Sequence, residues 1–200
     1  MNGQLFGEAF VTLFVIIDPP GTVPIFLGLT SSMTTQKRRR AARQAVLVAF
    51  GVIVAFAVFG QTILDYLGIS LPALQAAGGL LLLLVALELL TGNAKEPEAQ
   101  DSVNVALVPL GTPLLAGPGA IVATMLFVQR ADGVGDQLSV AAAIVAVHVV
   151  LFLVLRFAGF IRRVLRDGGV TLITRIAGLL LSAIAVQLVA DAVRAFVEAP

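Results

Sequence analysis

Ile17-Asp18-Pro19-Pro20-Gly21-Thr22-Val23-Pro24 stands in the middle of the first apolar stretch of the chain, Leu5 to Leu29. That stretch is about 25 residues long, enough to cross a bilayer with some tilt. Near its centre it holds a carboxylate, three prolines and a glycine. Proline lacks a backbone donor, clashes with the preceding turn and pushes the residue before it out of helical geometry. The helix is therefore expected to break at bilayer depth. Irregular backbone is tolerated there only where protein or a watery cavity satisfies the freed groups. A second break is expected at Thr112-Pro113-Leu114-Leu115-Ala116-Gly117-Pro118-Gly119, inside a later apolar segment. Interrupted helices in corresponding halves of a chain point to the binding site of a transporter.

Composition sets the class. The 200 residues are 58% hydrophobic and 12% charged, with a mean hydropathy of +1.01. A soluble domain carries about 45–50% apolar and roughly 25% charged residues, so this chain reads as an integral membrane protein. The apolar runs are long and lack strand alternation, which predicts helices rather than a barrel. No cysteine is present, which excludes disulfides, thiolate metal sites and cysteine catalysis. The first Lys or Arg is Lys37, so the first apolar stretch has no basic leader region and reads as a retained span.

Six spans are expected, at 5–29, 43–66, 71–91, 105–128, 138–160 and 171–194. The stretch Ala77–Leu89 matches Ile176–Leu188 at an offset of about 99, and the Pro20-Gly21 and Pro118-Gly119 pairs match at about 98. Two matches at nearly one offset, with equal span counts between them, indicate an internal repeat. Each copy holds three spans, an odd number, so the second enters from the opposite side. The expected architecture is an all-α polytopic membrane protein with six transmembrane helices in two inverted three-helix repeats, spans one and four being broken at the midplane. Residues 1–94 form the first repeat, 95–104 the loop between repeats and 105–200 the second. Eleven of the thirteen basic residues fall on one face, including Lys37 to Arg40, Arg43, Arg156, Arg162 and Arg163. The positive-inside rule makes that face cytoplasmic and turns both termini outward.

Asp18 is the one acidic residue midway along a span, where a bare charge is costly and marks an ion or substrate path. The competing reading is a helix cap for a half-helix restarting near Thr22, and the two roles are compatible. The restarted half-helices, expected near 22–29 and 120–128, would offer free N–H groups and a positive dipole end to an anion. Asp18 and the free carbonyls of the preceding half-helices would suit an ammonium, Na+ or H+. A zwitterionic amino acid satisfies both. The expected binding residues are Asp18, Pro20, Gly21, Thr22, Pro24, Thr112, Pro113, Gly117, Pro118 and Gly119.

Gly21, Gly111, Gly117 and Gly119 either bring backbone close to a small ligand or permit tight helix packing, and packing is favoured for Gly78, Gly79 and Gly178. His148, Arg175 and Gln187 are secondary polar candidates. His148 is either a protonatable coupling residue or a packed neutral ring, and the second reading is preferred. Gln187 suits an interhelical hydrogen bond, Arg175 a charge anchor, and Glu88 a side chain reaching the interface. Asp191 and Arg194, three apart, are expected to pair. No metal site is expected, and no hydrolase, zinc-protease or P-loop pattern is present, so the chain is not expected to be an enzyme.

Three stretches carry a resemblance. Asp18-Pro19-Pro20-Gly21-Thr22-Val23-Pro24-Ile25-Phe26, Val108 to Ile121, and Thr174 to Gln187 are similar in order to motifs of the MarC family, also called the small neutral amino-acid transporter family. Gly111 stands where that family often has Ala, and Thr22 where Asn is frequent. The resemblance covers essentially the whole chain. It implies six spans, outward termini and a bacterial inner-membrane location. It also implies transport of glycine, alanine and similar amino acids, as by some members of that family, and a site bounded by turns of Gly, Pro, Ala and Thr is expected to take serine and threonine as well. The first reading is thus a secondary transporter, with export as one direction open to it and H+ or Na+ as coupling ion. A small-solute or ion channel and a non-transporting membrane scaffold are the alternatives. The lipid bilayer is the expected surroundings, and no nucleic-acid partner is expected.

Overall fold

A computed structural model describes residues 2–30, 33–91 and 115–198, and all regular structure among them is helical. The helices are α1 (Gly3–Ile17), α2 (Pro19–Leu29), α3 (Thr35–Leu67), α4 (Leu71–Thr91), α5 (Pro118–Arg130), α6 (Val134–Arg156) and α7 (Ala158–Glu198). α7 is interrupted at Arg166, whose φ of 53° and ψ of 176° are not helical. Five stretches are long and apolar enough to cross a membrane: Gly3–Leu29, Thr35–Leu67, Leu71–Thr91, Val134–Arg156 and Thr171–Glu198. Of the fourth expected span, 105–128, only the part from Leu115 is described; the loop expected at 95–104 lies outside the described residues. Large apolar side chains such as Phe59, Leu84, Leu179 and Val186 point outward, as they do where the surroundings are lipid.

Local chemistry explains the helix ends. Thr34 caps α3 by accepting from the Lys37 N–H, and Gly68 ends it in the left-handed region at φ 66°. The Ile69 N–H then returns to the Leu64 carbonyl, a helix-terminating pattern that needs a positive φ at its turn. The basic run Lys37 to Arg40, expected in a connection, forms the first turns of α3 instead. A helix of 33 residues is about 50 Å long against an apolar slab of about 30 Å, so these turns extend beyond the slab.

One spacing recurs through the fold. α2 opens on Pro19 and α5 on Pro118; α3 opens on Thr35 and α6 on Val134. Each pair is 99 residues apart, which aligns Pro19, not Pro20, with Pro118. The packing follows the same relation: α2 rests on α6 and α7, and α5 rests on α3 and α4. The extensive α4–α7 contact is reciprocal. A Cβ on Gly79 would lie 2.8 Å from the Ala185 carbonyl, and one on Gly178 would lie 3.2 Å from the Ala86 carbonyl. Leu82, Ala86, Leu181 and Ala185, again two pairs 99 apart, form a buried cluster of their own. As α4 ascends from 79 to 86, its partners on α7 descend from 185 to 178. The two helices are antiparallel and meet as the two sides of a self-complementary interface do. The larger core draws on α1, α2, α3, α5 and α6.

Candidate functional site

The first break occupies a single residue. Asp18 adopts φ 44° and ψ 65° and is at once the C-cap of α1 and the N-cap of α2. Among non-glycine residues Asp and Asn enter this region most readily, because a short polar side chain can bond locally. Asp18 does so: its Oδ1 accepts from the Gly21 N–H at 3.2 Å. Its own N–H donates to the Phe14 carbonyl at 3.0 Å, and its carbonyl accepts from Thr22 at 3.1 Å. The helix thus resumes at Pro19, not near Thr22. Prolines at the first two positions suit a helix start, since their missing donors would have been unpaired anyway.

These bonds change the chemistry expected of the turn. Pro19 and Pro20 have no N–H, the Gly21 N–H serves Asp18 Oδ1, and the Thr22 N–H serves the Asp18 carbonyl. The start of α2 therefore has no spare donor for an anion. Acceptors are plentiful by contrast. Pro19 and Pro20 deprive the Val15 and Ile16 carbonyls of their helical donors, and Pro24, inside α2, does the same to the Pro20 carbonyl. Thr22 gives its hydroxyl proton to the Pro19 carbonyl at 2.7 Å. Asp18 is only 7% exposed, and among the described residues its buried Oδ2 has no hydrogen-bond partner. An acceptor-rich turn with a carboxylate suits a cation better than an anion. Gly21 is required by this geometry, because a Cβ there would fall on the Asp18 carboxylate.

The second break differs. Thr112 and Pro113 lie outside the described residues. Gly117 caps α5 in extended geometry without a side-chain bond, and Pro118 occupies the first helical position. Ala120 and Ile121 both donate to the Gly117 carbonyl, at 3.0 and 3.2 Å. Among the described residues no side chain caps the N–H of Gly119, one of the orphan donors of a helix start. A Cβ on Gly119 would collide with Leu82 of α4, so this glycine also meets a packing demand. Ile17 and Val23, flanking Asp18, belong to the same buried cluster as Leu115, Ala116 and Ala120 beside Gly117. Both turns therefore border one core.

The remaining candidates stand elsewhere. His148 is buried, with Nδ1 2.8 Å from the Ile144 carbonyl and its ring edge-on to Phe50 at 5.2 Å; among the described residues its Nε2 has no partner. It lines a cavity between α3 and α6. Arg175 and Glu88 are exposed. Gln187 donates to Asp191 Oδ1 at 2.7 Å along its own helix, which replaces both the interhelical bond expected of Gln187 and the expected Asp191–Arg194 pair. Gln187 and Asp191 line a crevice of about 220 Å³ with Thr12 of α1 and Arg130 of α5. Thr124 was not singled out by the sequence, yet its hydroxyl is fully buried without a partner among the described residues. Its one legible mark is a lone hydroxyl in the apolar run Ile121–Val128. Among the described residues no group of three His, Cys, Asp or Glu could hold a metal ion.

A family model described as MarC family integral membrane protein matches residues 3–197. A membrane protein of Methanocaldococcus jannaschii is 40% identical over 97% of this chain and 98% of its own length. The YvbG membrane protein of Bacillus subtilis is 34% identical over 91% of this chain and 90% of its own. For the YhcE membrane protein of Escherichia coli the figures are 31%, 95% and 92%. No solved structure gives a significant match.

Proposed function

The chain belongs to the MarC family of integral membrane proteins, and on that premise we propose that it is a secondary transporter of small neutral amino acids working by alternating access. The observation that carries this reading is the unpartnered, buried Oδ2 of Asp18 in a turn of carbonyl acceptors. A bare carboxylate inside a membrane bundle needs a cationic partner. The substrate ammonium, or a coupling H+ or Na+, fills that role. The substrate carboxylate goes to the start of α5, where the Gly119 N–H and the helix dipole favour negative charge. The two breaks thus divide the labour, cation at the first and anion at the second. Glycine, alanine, serine and threonine fit a site bounded by backbone and small residues.

The recurrence at 99 residues and the reciprocal contact of α4 with α7 support two inverted repeats, each of three spans with its first span broken. Alternating access follows as rocking of one repeat against the other about that seam. The crevice of Thr12, Arg130, Gln187 and Asp191 is the outward approach. Lys37, Arg39, Arg40, Arg43 and Arg156 gather at the opposite end, which supports a cytoplasmic location for that end and outward termini in the inner membrane.

The test is uptake of single radiolabelled amino acids by purified protein in liposomes. Alanine should be carried and displaced by glycine, serine and threonine, and not by lysine, glutamate or tryptophan. Asp18→Asn keeps the cap and removes the charge. Losing a charge-assisted bond of about 1.5–3 kcal/mol should weaken substrate or ion affinity by roughly 10- to 100-fold. Saturation-free flux would favour a channel, and no binding of any amino acid at millimolar concentration would favour a scaffold.

A further inference from the structure

The α3–α6 face carries two cavities that join. The first, of about 350 Å³, is walled by Val46 and Phe50 of α3 and by Val145, His148, Val149 and Phe152 of α6. The second, of about 470 Å³, lies at the N-terminal end of α3 and gathers Lys37, Arg39, Arg40 and Arg43 with Arg156 from the end of α6. Arg43 and Phe152 line both, so an apolar slot opens directly into a cradle of five cations. Among the described residues no carboxylate lines either cavity. Arg156 Nη1 is buried and has no hydrogen-bond partner among the described residues, so one donor of the cradle is left unmatched.

We propose that this groove is a binding site for one anionic glycerophospholipid, its phosphate in the arginine cradle and an acyl chain in the slot. Length agrees with this occupant. Arg40 and Phe50 are ten residues apart on α3, about 15 Å, which is half of an apolar slab of about 30 Å. Cradle and slot together therefore have the depth of one leaflet. Charge selects the leaflet as well as the headgroup. At the far end the same two helices carry Asp65 and Asp136 and offer no comparable cluster of cations. A second copy of the chain is a poor occupant. Closing this face on itself by two-fold symmetry would set five cations against five others. A basic pocket between helices joined to a chain-sized apolar slot suits a phospholipid that is both anionic and doubly apolar-tailed.

The experiment uses the full chain in neutral detergent micelles, with bound lipid counted by native mass spectrometry and thermal shift followed in parallel. Dioleoylphosphatidylglycerol should bind at one saturable site and raise the melting temperature, whereas dioleoylphosphatidylcholine and inorganic phosphate should do neither. Arg43→Gln and Arg156→Gln should each weaken binding roughly fivefold, the worth of one basic side chain at an anionic surface. Arg163→Gln, which removes the same charge outside the groove, should leave affinity unchanged. Val149→Trp should block the slot and weaken binding with all five cations in place. Equal binding of the zwitterionic lipid, binding of phosphate alone, or equal losses from Arg163→Gln and Arg43→Gln would overturn the proposal. So would a dimer that Val149→Trp dissociates without any effect of phosphatidylglycerol.

Discussion

The carboxylate of Asp18 occupies the place that a Cβ on residue 21 would take, and Oδ1 accepts the Gly21 N–H at 3.2 Å. The two residues are one device: the glycine admits the carboxylate, and the carboxylate closes the first turn of α2. Gly21→Ala should therefore act on Asp18. The displaced carboxylate forfeits its cap, about 1 kcal/mol of stability, and Oδ2 is re-aimed. Transport by Gly21→Ala should fall towards the level of Asp18→Asn, and the double variant should be little worse than either single one. Uptake and melting temperature of the three proteins check this. Additive losses would show that the two residues act separately.

The reciprocal seam makes a graded prediction. At Gly79 an added methyl meets the Ala185 carbonyl at 2.8 Å, while at Gly178 the nearest atoms are Leu89 Cβ at 3.1 Å and the Ala86 carbonyl at 3.2 Å. The shorter approach to backbone forces the larger shift. Gly79→Ala should be destabilising by about 1–3 kcal/mol and Gly178→Ala by less. Gly51→Ala is the control, because nothing lies within 4 Å of its Cβ position inside α3. It should be neutral or stabilising by up to about 1 kcal/mol, since alanine is the better helix former. Thermal melts in detergent rank the three.

Topology can be read with single cysteines, the chain having none of its own. A cysteine replacing Ser70 should react with an impermeant thiol reagent added outside intact cells, and one replacing Arg39 should not. The reverse pattern would invert the orientation and move the basic groove to the outer leaflet. The helix boundaries make both positions suitable: Ser70 lies between α3 and α4, and Arg39 lies in the exposed first turns of α3.

Much of this architecture was legible because proline and charge act locally. Two consecutive prolines after an aspartate can end one helix and begin another, so a break within Ile17–Pro24 is legible in the sequence, although its expected restart near Thr22 falls three residues late. The consequence of the break is not legible there. That the resumed helix starts at Pro19 and spends its donors on Asp18 depends on the left-handed cap, which pattern alone does not reveal. The 99-residue repeat is visible in Ala77–Leu89 and Ile176–Leu188, yet Pro20-Gly21 and Pro118-Gly119 look alike as dipeptides and suggest an alignment one residue off. The arginine cradle was out of reach for another reason. Arg156 stands more than a hundred residues from Arg43, and only the packing of α3 on α6 brings them to one groove. The fully buried hydroxyl of Thr124 has no periodic signature either.

The last prediction separates packing from recognition at the second break. Gly119 is pressed on by Leu82, so Gly119→Ala overfills the α4–α5 contact and should be destabilising by about 1–3 kcal/mol. Leu82→Ala alone leaves a cavity and should cost about 2–5 kcal/mol. Together the two changes exchange volume across one contact, so the double variant should be more stable than the sum of the single losses allows. Its transport is then informative. If residue 119 serves the substrate through its backbone N–H, the methyl lies on the Leu82 side and the N–H is untouched. The double variant should keep the wild-type ratio of glycine to alanine uptake. If the Cα of Gly119 instead borders the space for the substrate side chain, alanine uptake should drop relative to glycine even in the rescued protein. Competition between the two labelled amino acids in liposomes, scaled to folded protein, distinguishes these results. A drop in that ratio would move the anion-binding role away from the backbone at the start of α5.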